Sequence, residues 1–169
     1  MPGLTRVDSR APPLWSVILG HSADTITVIA LLLLVVSSYT GMPRRVALST
    51  LFATLVLGVL VALVKRIFRR ERPPGEWGKI YRRTDPYAFP SGHAARVGML
   101  AVVAWQAGPA VLAVSLSVWS LAVCASRLAL GVHRRIDILC GLGLGVAFGL
   151  LWTILSITDR LGIGTLGQY

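Results

Sequence analysis

The sequence predicts an all-α transmembrane helical bundle of about five spans, with an additional N-terminal helix at the membrane interface. Composition is the first observation behind this. Of 169 residues, 54% are hydrophobic and 14% charged, and the mean hydropathy is +0.70, values foreign to an ordinary soluble domain. The second is the gathering of apolar residues into runs near the roughly 20 residues that cross a hydrocarbon core as helix. The third is the lack of any internal repeat, low-complexity tract or second domain, so residues 1–169 are expected to form a single membrane-embedded unit.

In chain order, the segment from Pro12 to Gly20, with Trp15 among aliphatic residues, is too short to cross and is expected to lie against the bilayer. Met1 to Ser22 shows no hydrophobic core followed by a small-residue cleavage site, so the N-terminus is expected to be retained. A first span runs from about Ala23 to Thr40 and is closed by Gly41, Pro43 and the pair Arg44-Arg45. The second, uncharged from Val46 to Val64, is the strongest. The third, from Ser91 to about Ala107, is short and carries Arg96 one turn inside its start, where a long side chain can snorkel to the headgroups. A fourth runs from about Pro109 to Ser126 and a fifth from about Ile136 to Ile157. Cys124 and Cys140 are expected to be small packing residues rather than a disulfide or metal pair.

Against this background three clusters stand apart: Lys65 with Arg72-Pro73, then Pro90-Ser91-Gly92-His93, then Ser126-Arg127 with His133 and Asp137. Counting spans places the loop from Lys65 to Phe89, the loop from Arg127 to Asp137 and the N-terminus on one membrane face. Lys65 and Arg72 are seven residues apart, two helical turns, and would share a stripe if the second helix ran past the bilayer. Pro73 disfavours a helical Arg72, so the helix should stop there. His133 and Asp137, four residues apart, would stack on one face of a helix start, with Gly131 letting the preceding chain turn back. Three cations, two imidazoles and a carboxylate meeting at one surface suit displacement of a phosphoryl group by a histidine nucleophile.

The ordered pattern of Lys, six residues, Arg-Pro; Pro-Ser-Gly-His; and Ser-Arg, five residues, His, three residues, Asp resembles the type 2 phosphatidic acid phosphatase superfamily of integral membrane lipid phosphatases. Every motif position is present between Lys65 and Asp137, although family members usually have six spans where five are counted here. The resemblance implies hydrolysis of a lipid phosphate monoester or diphosphate through a phosphohistidine, with no metal and no cofactor. It implies that His133 is the nucleophile, Asp137 its orienting acid, and His93 the general acid and then base. Lys65, Arg72 and Arg127, with the backbone amides around Ser91 and Gly92, would bind the phosphate. Residue chemistry agrees, because a neutral imidazole is nucleophilic and a carboxylate on its other nitrogen fixes the tautomer and stabilises the cation that forms. Glu71, Glu76, Asp85 and Asp137 on this face do not make the carboxylate cage that a hard cation needs.

Arg96, three residues after His93, shares its helix face and is a candidate contact for a second phosphate or polar headgroup. The basic residues Arg66, Arg69, Arg70, Lys79, Arg82, Arg83, Arg134 and Arg135 are expected to touch lipid headgroups. Trp77, Tyr81, Tyr87 and Phe89 are expected to anchor at the interface, and His21 and Ser126 to be structural. The formal charge of +10 is assigned to the phospholipid bilayer and a lipid phosphate substrate, not to nucleic acid; the sequence leaves the oligomeric state open. Of 17 Lys and Arg, only Arg44, Arg45 and Arg160 fall away from the motif face, leaving 14 on it, so the positive-inside rule predicts a cytoplasmic site. The small plan with a basic motif face resembles bacterial members acting on polyprenyl-linked phosphates, which would place the chain in a bacterial cell membrane. Phosphatidic acid and phosphatidylglycerophosphate are alternative substrates, and a non-catalytic protein binding anionic lipid is an alternative of another class.

Overall fold

The computed structural model describes residues 12–72 and 85–160, with side chains as far as residue 156. They form six helices: α1 (Leu14–Ser22), α2 (Thr25–Ser38), α3 (Gly41–Phe68), α4 (Gly92–Ala107), α5 (Ala110–Ala129) and α6 (Arg135–Arg160). Among the described residues the one non-helical pairing is an isolated antiparallel bridge between Glu71 and Tyr87. Expectations placed on Pro73, Trp77, Lys79, Tyr81, Arg82 and Arg83 lie outside the described residues.

Three helices, α3, α5 and Arg135–Ser156 of α6, are each long and apolar enough to cross a membrane. α2, with 14 residues, is about 21 Å long at 1.5 Å per residue and cannot span alone. Together with α1, to which it is bent by 55°, it passes the same test. α1 is therefore more than a helix resting on the bilayer: Ser16 and Gly20 are buried, and the indole Nε1 of Trp119 on α5 donates to Ser22 Oγ at 2.9 Å. Its small polar face has a partner in the bundle, which the apolar run around Trp15 did not reveal. Gly41, Pro43, Arg44 and Arg45, expected to close the first span, instead open α3. Proline belongs in a first turn because its missing N–H has no intrahelical acceptor there.

α4 is the axis of the bundle. It has only 16 residues, about 24 Å, yet Ala94, Ala95, Val97, Gly98, Met99, Val103 and Ala104 are all buried. On one side Val97 and Ala94 meet Val123, Cys124 and Ile138. On the other, Ala95, Met99 and Val103 meet Ala53, Leu57 and Val61 of α3. α6 approaches α4 along Gly141, Gly145 and Gly149, spaced by four residues. A Cβ at Gly141 would collide with the Ser91 backbone, one at Gly145 with the Ala95 carbonyl, and one at Gly149 would crowd Met99. Between membrane helices, where burial offers little driving force, such small-residue stripes permit the backbone contact that supplies dispersion energy. Tryptophan N–H groups add cross-helix bonds: Trp152 to Ser49 and Trp105 to Ser117, each at 3.0 Å. Cys124 and Cys140 are free thiols. Outside, Ile26, Ile67, Val111, Leu121, Leu139 and Leu151 are exposed, the apolar jacket of an integral membrane protein.

Candidate active site

The end of α3, the starts of α4 and α6, the end of α5 and the α1–α2 break all lie at one end of the bundle. Lys65 comes from the last turn of α3. The helix then stops at Phe68 through Arg69, which takes a left-handed conformation (φ 46°) and donates its N–H to Lys65 O at 2.9 Å. The chain folds back and is held by Ala88 N donating to Arg70 O at 2.7 Å. Arg72 thus reaches the site from an extended segment and not from a helical stripe with Lys65. Phe89, expected at the membrane interface, packs edge-on against Phe68 with ring centroids 4.9 Å apart.

Arg72 binds on three sides. Its Nε donates to Asp85 O at 2.9 Å and its Nη2 to Asp85 Oδ2 at 2.8 Å. Its Nη1 lies 3.3 Å from Val132 O and 3.2 Å from His133 Nε2. Since a guanidinium can only donate, Nε2 is the accepting nitrogen and His133 carries its proton on Nδ1. Lys65 Nζ pairs with the same Asp85 Oδ2, so one carboxylate spans both cations.

His133 lies ahead of α6, reached through Gly131 at φ 65°, and does not stack helically on Asp137. Asp137, fully buried in the first turn of α6, accepts from the Arg134 N–H at 2.7 Å and from Arg70 Nη1 at 2.9 Å, the former a helix-start contact of the capping-box kind. The Nδ1 of His133 is 4.0 Å from Asp137 Oδ2 and has no hydrogen-bond partner among the described residues. Burial, with the charges of Arg72, Arg127 and Lys65 around it, pushes the His133 imidazole down to about 2, which keeps it neutral. Arg70, expected among lipid headgroups, is instead the partner of Asp137.

Ser91 caps α4 through its side chain, which accepts from Ala94 N at 3.4 Å, while its own amide donates to Asp137 O at 2.9 Å. That amide, expected to face a phosphate, joins the starts of α4 and α6. Ser126 Oγ donates to Val123 O at 2.7 Å, a packing role. Arg127 is 1% exposed and passes close to Gly20 of α1. On α4, His93 Nε2 lies 2.7 Å from Asp24 Oδ1. Arg96 Nη1 donates to Ala23 O and its Nη2 to Thr25 Oγ1, so its bonds run to the α1–α2 break, although the side chain also borders the central cavity.

That cavity, of about 950 Å³, is lined by Lys65, Arg72, Asp85, His93, Arg96 and His133, with Gly92 at its edge and Asp24 in its wall. It continues along α3 past Val61, Gly58 and Leu57 to Thr54. Ser91, Arg127 and Asp137 stand behind this surface. Among the described residues no group of three or more His, Cys, Asp or Glu is placed to hold a metal. Sequence reasoning missed Asp24, Asp85 as an ion-pair partner, and Arg70 as the partner of Asp137.

Cationic and imidazole groups at the mouth, with an apolar wall leading into the bundle, fit a membrane-embedded hydrolase for phosphoric esters carried on lipids. Residues 45–160 match the PAP2 superfamily, and the chain belongs to it. Two solved structures share the fold. One is the first transmembrane PAP2-type phosphatidylglycerolphosphate phosphatase from Bacillus subtilis, at 21% identity over 89% of this chain and 80% of that one, with a TM-score of 0.71. The other is LpxE of Aquifex aeolicus, at 19% identity over 86% of this chain and 88% of that one, with a TM-score of 0.64.

Proposed function

We propose that this single-domain membrane phosphatase hydrolyses a lipid phosphate monoester or diphosphate through a phosphohistidine on His133. The observation that carries the reading is the Arg72 to His133 contact at 3.2 Å inside the cavity. A phosphate oxygen that took over the Arg72 N–H would leave the Nε2 lone pair directed at phosphorus. In the first step Nε2 bonds to phosphorus, the bond from phosphorus to the lipid oxygen breaks, and His93 gives that oxygen a proton. In the second, His93 takes a proton from water as the oxygen displaces His133, releasing inorganic phosphate. Lys65 and Arg72 neutralise the phosphoryl oxygens from the cavity wall, Arg127 adds its charge from behind that wall, and Asp137 supports the imidazolium that forms, once Nδ1 closes the 4.0 Å gap. Ser91 serves this by fixing the start of α4, and Gly92 by leaving room at the cavity edge.

Polyprenyl-linked phosphates in a bacterial cell membrane are our first substrate class. The apolar wall on one helix, from Val61 to Thr54, suits a single hydrocarbon chain. Glycerolipid phosphates are the second, favoured by the likeness to the phosphatidylglycerolphosphate phosphatase. The site faces the cytoplasm in this proposal, in line with the 14 basic residues expected on that side. The test is phosphate release by purified protein in EDTA on a panel of polyprenyl phosphates, polyprenyl diphosphates, phosphatidic acid and phosphatidylglycerophosphate. We expect turnover by the wild type, a trapped acid-labile phosphoprotein, and neither in His133→Ala. No turnover on the whole panel, with lipid binding intact, would establish a non-catalytic anionic-lipid binder instead.

A further inference from the structure

We propose that Asp24 is a positioning residue for His93, holding the imidazole that exchanges protons with the lipid oxygen and with water. The proposal rests on the phosphohistidine reading above. Asp24 occupies the N-cap of α2 in an extended conformation (φ −62°, ψ 149°), yet its side chain makes no capping bond. An acid at this position ordinarily accepts from an N–H of its own helix. Here the carboxylate is turned away. Oδ1 accepts from His93 Nε2 at 2.7 Å and Oδ2 from His21 Nδ1 at 2.8 Å. Ser91, at the equivalent position of α4, does cap its helix, whereas both Asp24 carboxylate oxygens are bonded to imidazoles.

The segment carrying Asp24 is fixed to α4 on both sides. Arg96, one turn after His93, binds Ala23 O with one nitrogen and Thr25 Oγ1 with another, and Ala23 is completely buried. The carboxylate is therefore placed by the fold, and it lies in the cavity wall beside His93. It also belongs to the part of the chain that precedes the matched residues 45–160.

The chemistry explains why an anion is useful there. A lipid alkoxide is too basic to depart unprotonated, so His93 must supply a proton while seated in a cavity wall that also carries Lys65, Arg72 and Arg96. A carboxylate against one ring nitrogen stabilises the imidazolium and fixes the ring plane. With Nε2 keeping its hydrogen in the bond to Asp24, the proton exchanged with the lipid oxygen and with water is, on this proposal, the one on the other ring nitrogen, Nδ1. Asp24 remains ionised throughout.

Full-length Asp24→Asn protein separates this role from a structural one, using a lipid phosphate and p-nitrophenyl phosphate, whose phenolate leaves without protonation. On the lipid phosphate we expect kcat to fall about 10- to 100-fold with KM within about threefold. With the aryl ester the pre-steady-state burst of p-nitrophenolate should stay within about threefold of wild type, while steady-state turnover falls because hydrolysis still needs His93. Asp24→Glu should recover part of the lost kcat. Equal losses in burst and steady state, a change confined to KM, or an unchanged kcat would overturn the proposal. If Asp24→Asn does not fold, Asp24→Ser, which can still cap α2, takes its place with the same expected split. Wild-type protein lacking both burst and turnover would overturn the phosphohistidine reading and this proposal together, whereas wild-type turnover with an unsplit loss in the variant removes only the role of Asp24.

Discussion

Burial to 4% exposure, together with Arg72, Arg127 and Lys65, holds the imidazole of His133 near a pKa of about 2, against about 6.5 in an unfolded chain. Between those values the unfolded chain binds a proton that the native one does not. The stability linked to His133 is therefore full above about pH 6.5 and is lost as pH falls from there towards 2. The apparent unfolding temperature in detergent should drop on acidification from pH 7 to 4, and less so in His133→Gln. Arg72 presents a second residue-scale expectation. It makes planar contacts with Asp85, Val132 and His133 at once, which an ammonium cannot reproduce. Arg72→Lys should lower kcat/KM at least about tenfold with unchanged folding. Lys65, Arg72, His93 and His133 were legible in sequence because charged groups at fixed spacings are rare in apolar runs. Asp24, Arg70 and Asp85 were not, because their importance lies in partners: His93 is 69 residues from Asp24 and Asp137 is 67 from Arg70, separations that no periodicity reports.

The α4–α6 contact governs the site at the level of elements, since it joins the His93 helix to the Asp137 helix. Gly145 lies against the Ala95 carbonyl with no room for a side chain. Gly145→Val should cost about 3 kcal/mol or more, seen as a loss of monodisperse protein or a large fall in unfolding temperature. Gly143, two residues away, has open space for 4 Å around the position a Cβ would take, and Gly143→Ala should remain within about 0.5 kcal/mol of wild type. Span positions were legible from hydropathy, but helix ends were not. Gly41 and Pro43 signal a break without saying which helix they belong to, and they proved to start α3. α1 was recognised as a helix but not as a packing partner of the bundle, because burial of Ser16 and Gly20 depends on α5, a partner about 100 residues on.

At the scale of the molecule, the site lies where α6 begins, and α6 then runs 26 residues away from it. The far end of α6, at Arg160, therefore lies towards the opposite side of the membrane. A reporter enzyme fused at Tyr169 should be active outside the cell if the site faces the cytoplasm, and a cytoplasmic signal would reverse that orientation. The same bundle end carries Asp85, whose carboxylate is held by both Lys65 and Arg72. On the proposed function, phosphate entry would be an exchange of one anion for another, and after hydrolysis the returning carboxylate would help to evict inorganic phosphate. Asp85→Asn should make phosphate a stronger product inhibitor, by about tenfold, the equivalent of one charge-assisted bond. The catalyst would grip more firmly and turn over more slowly.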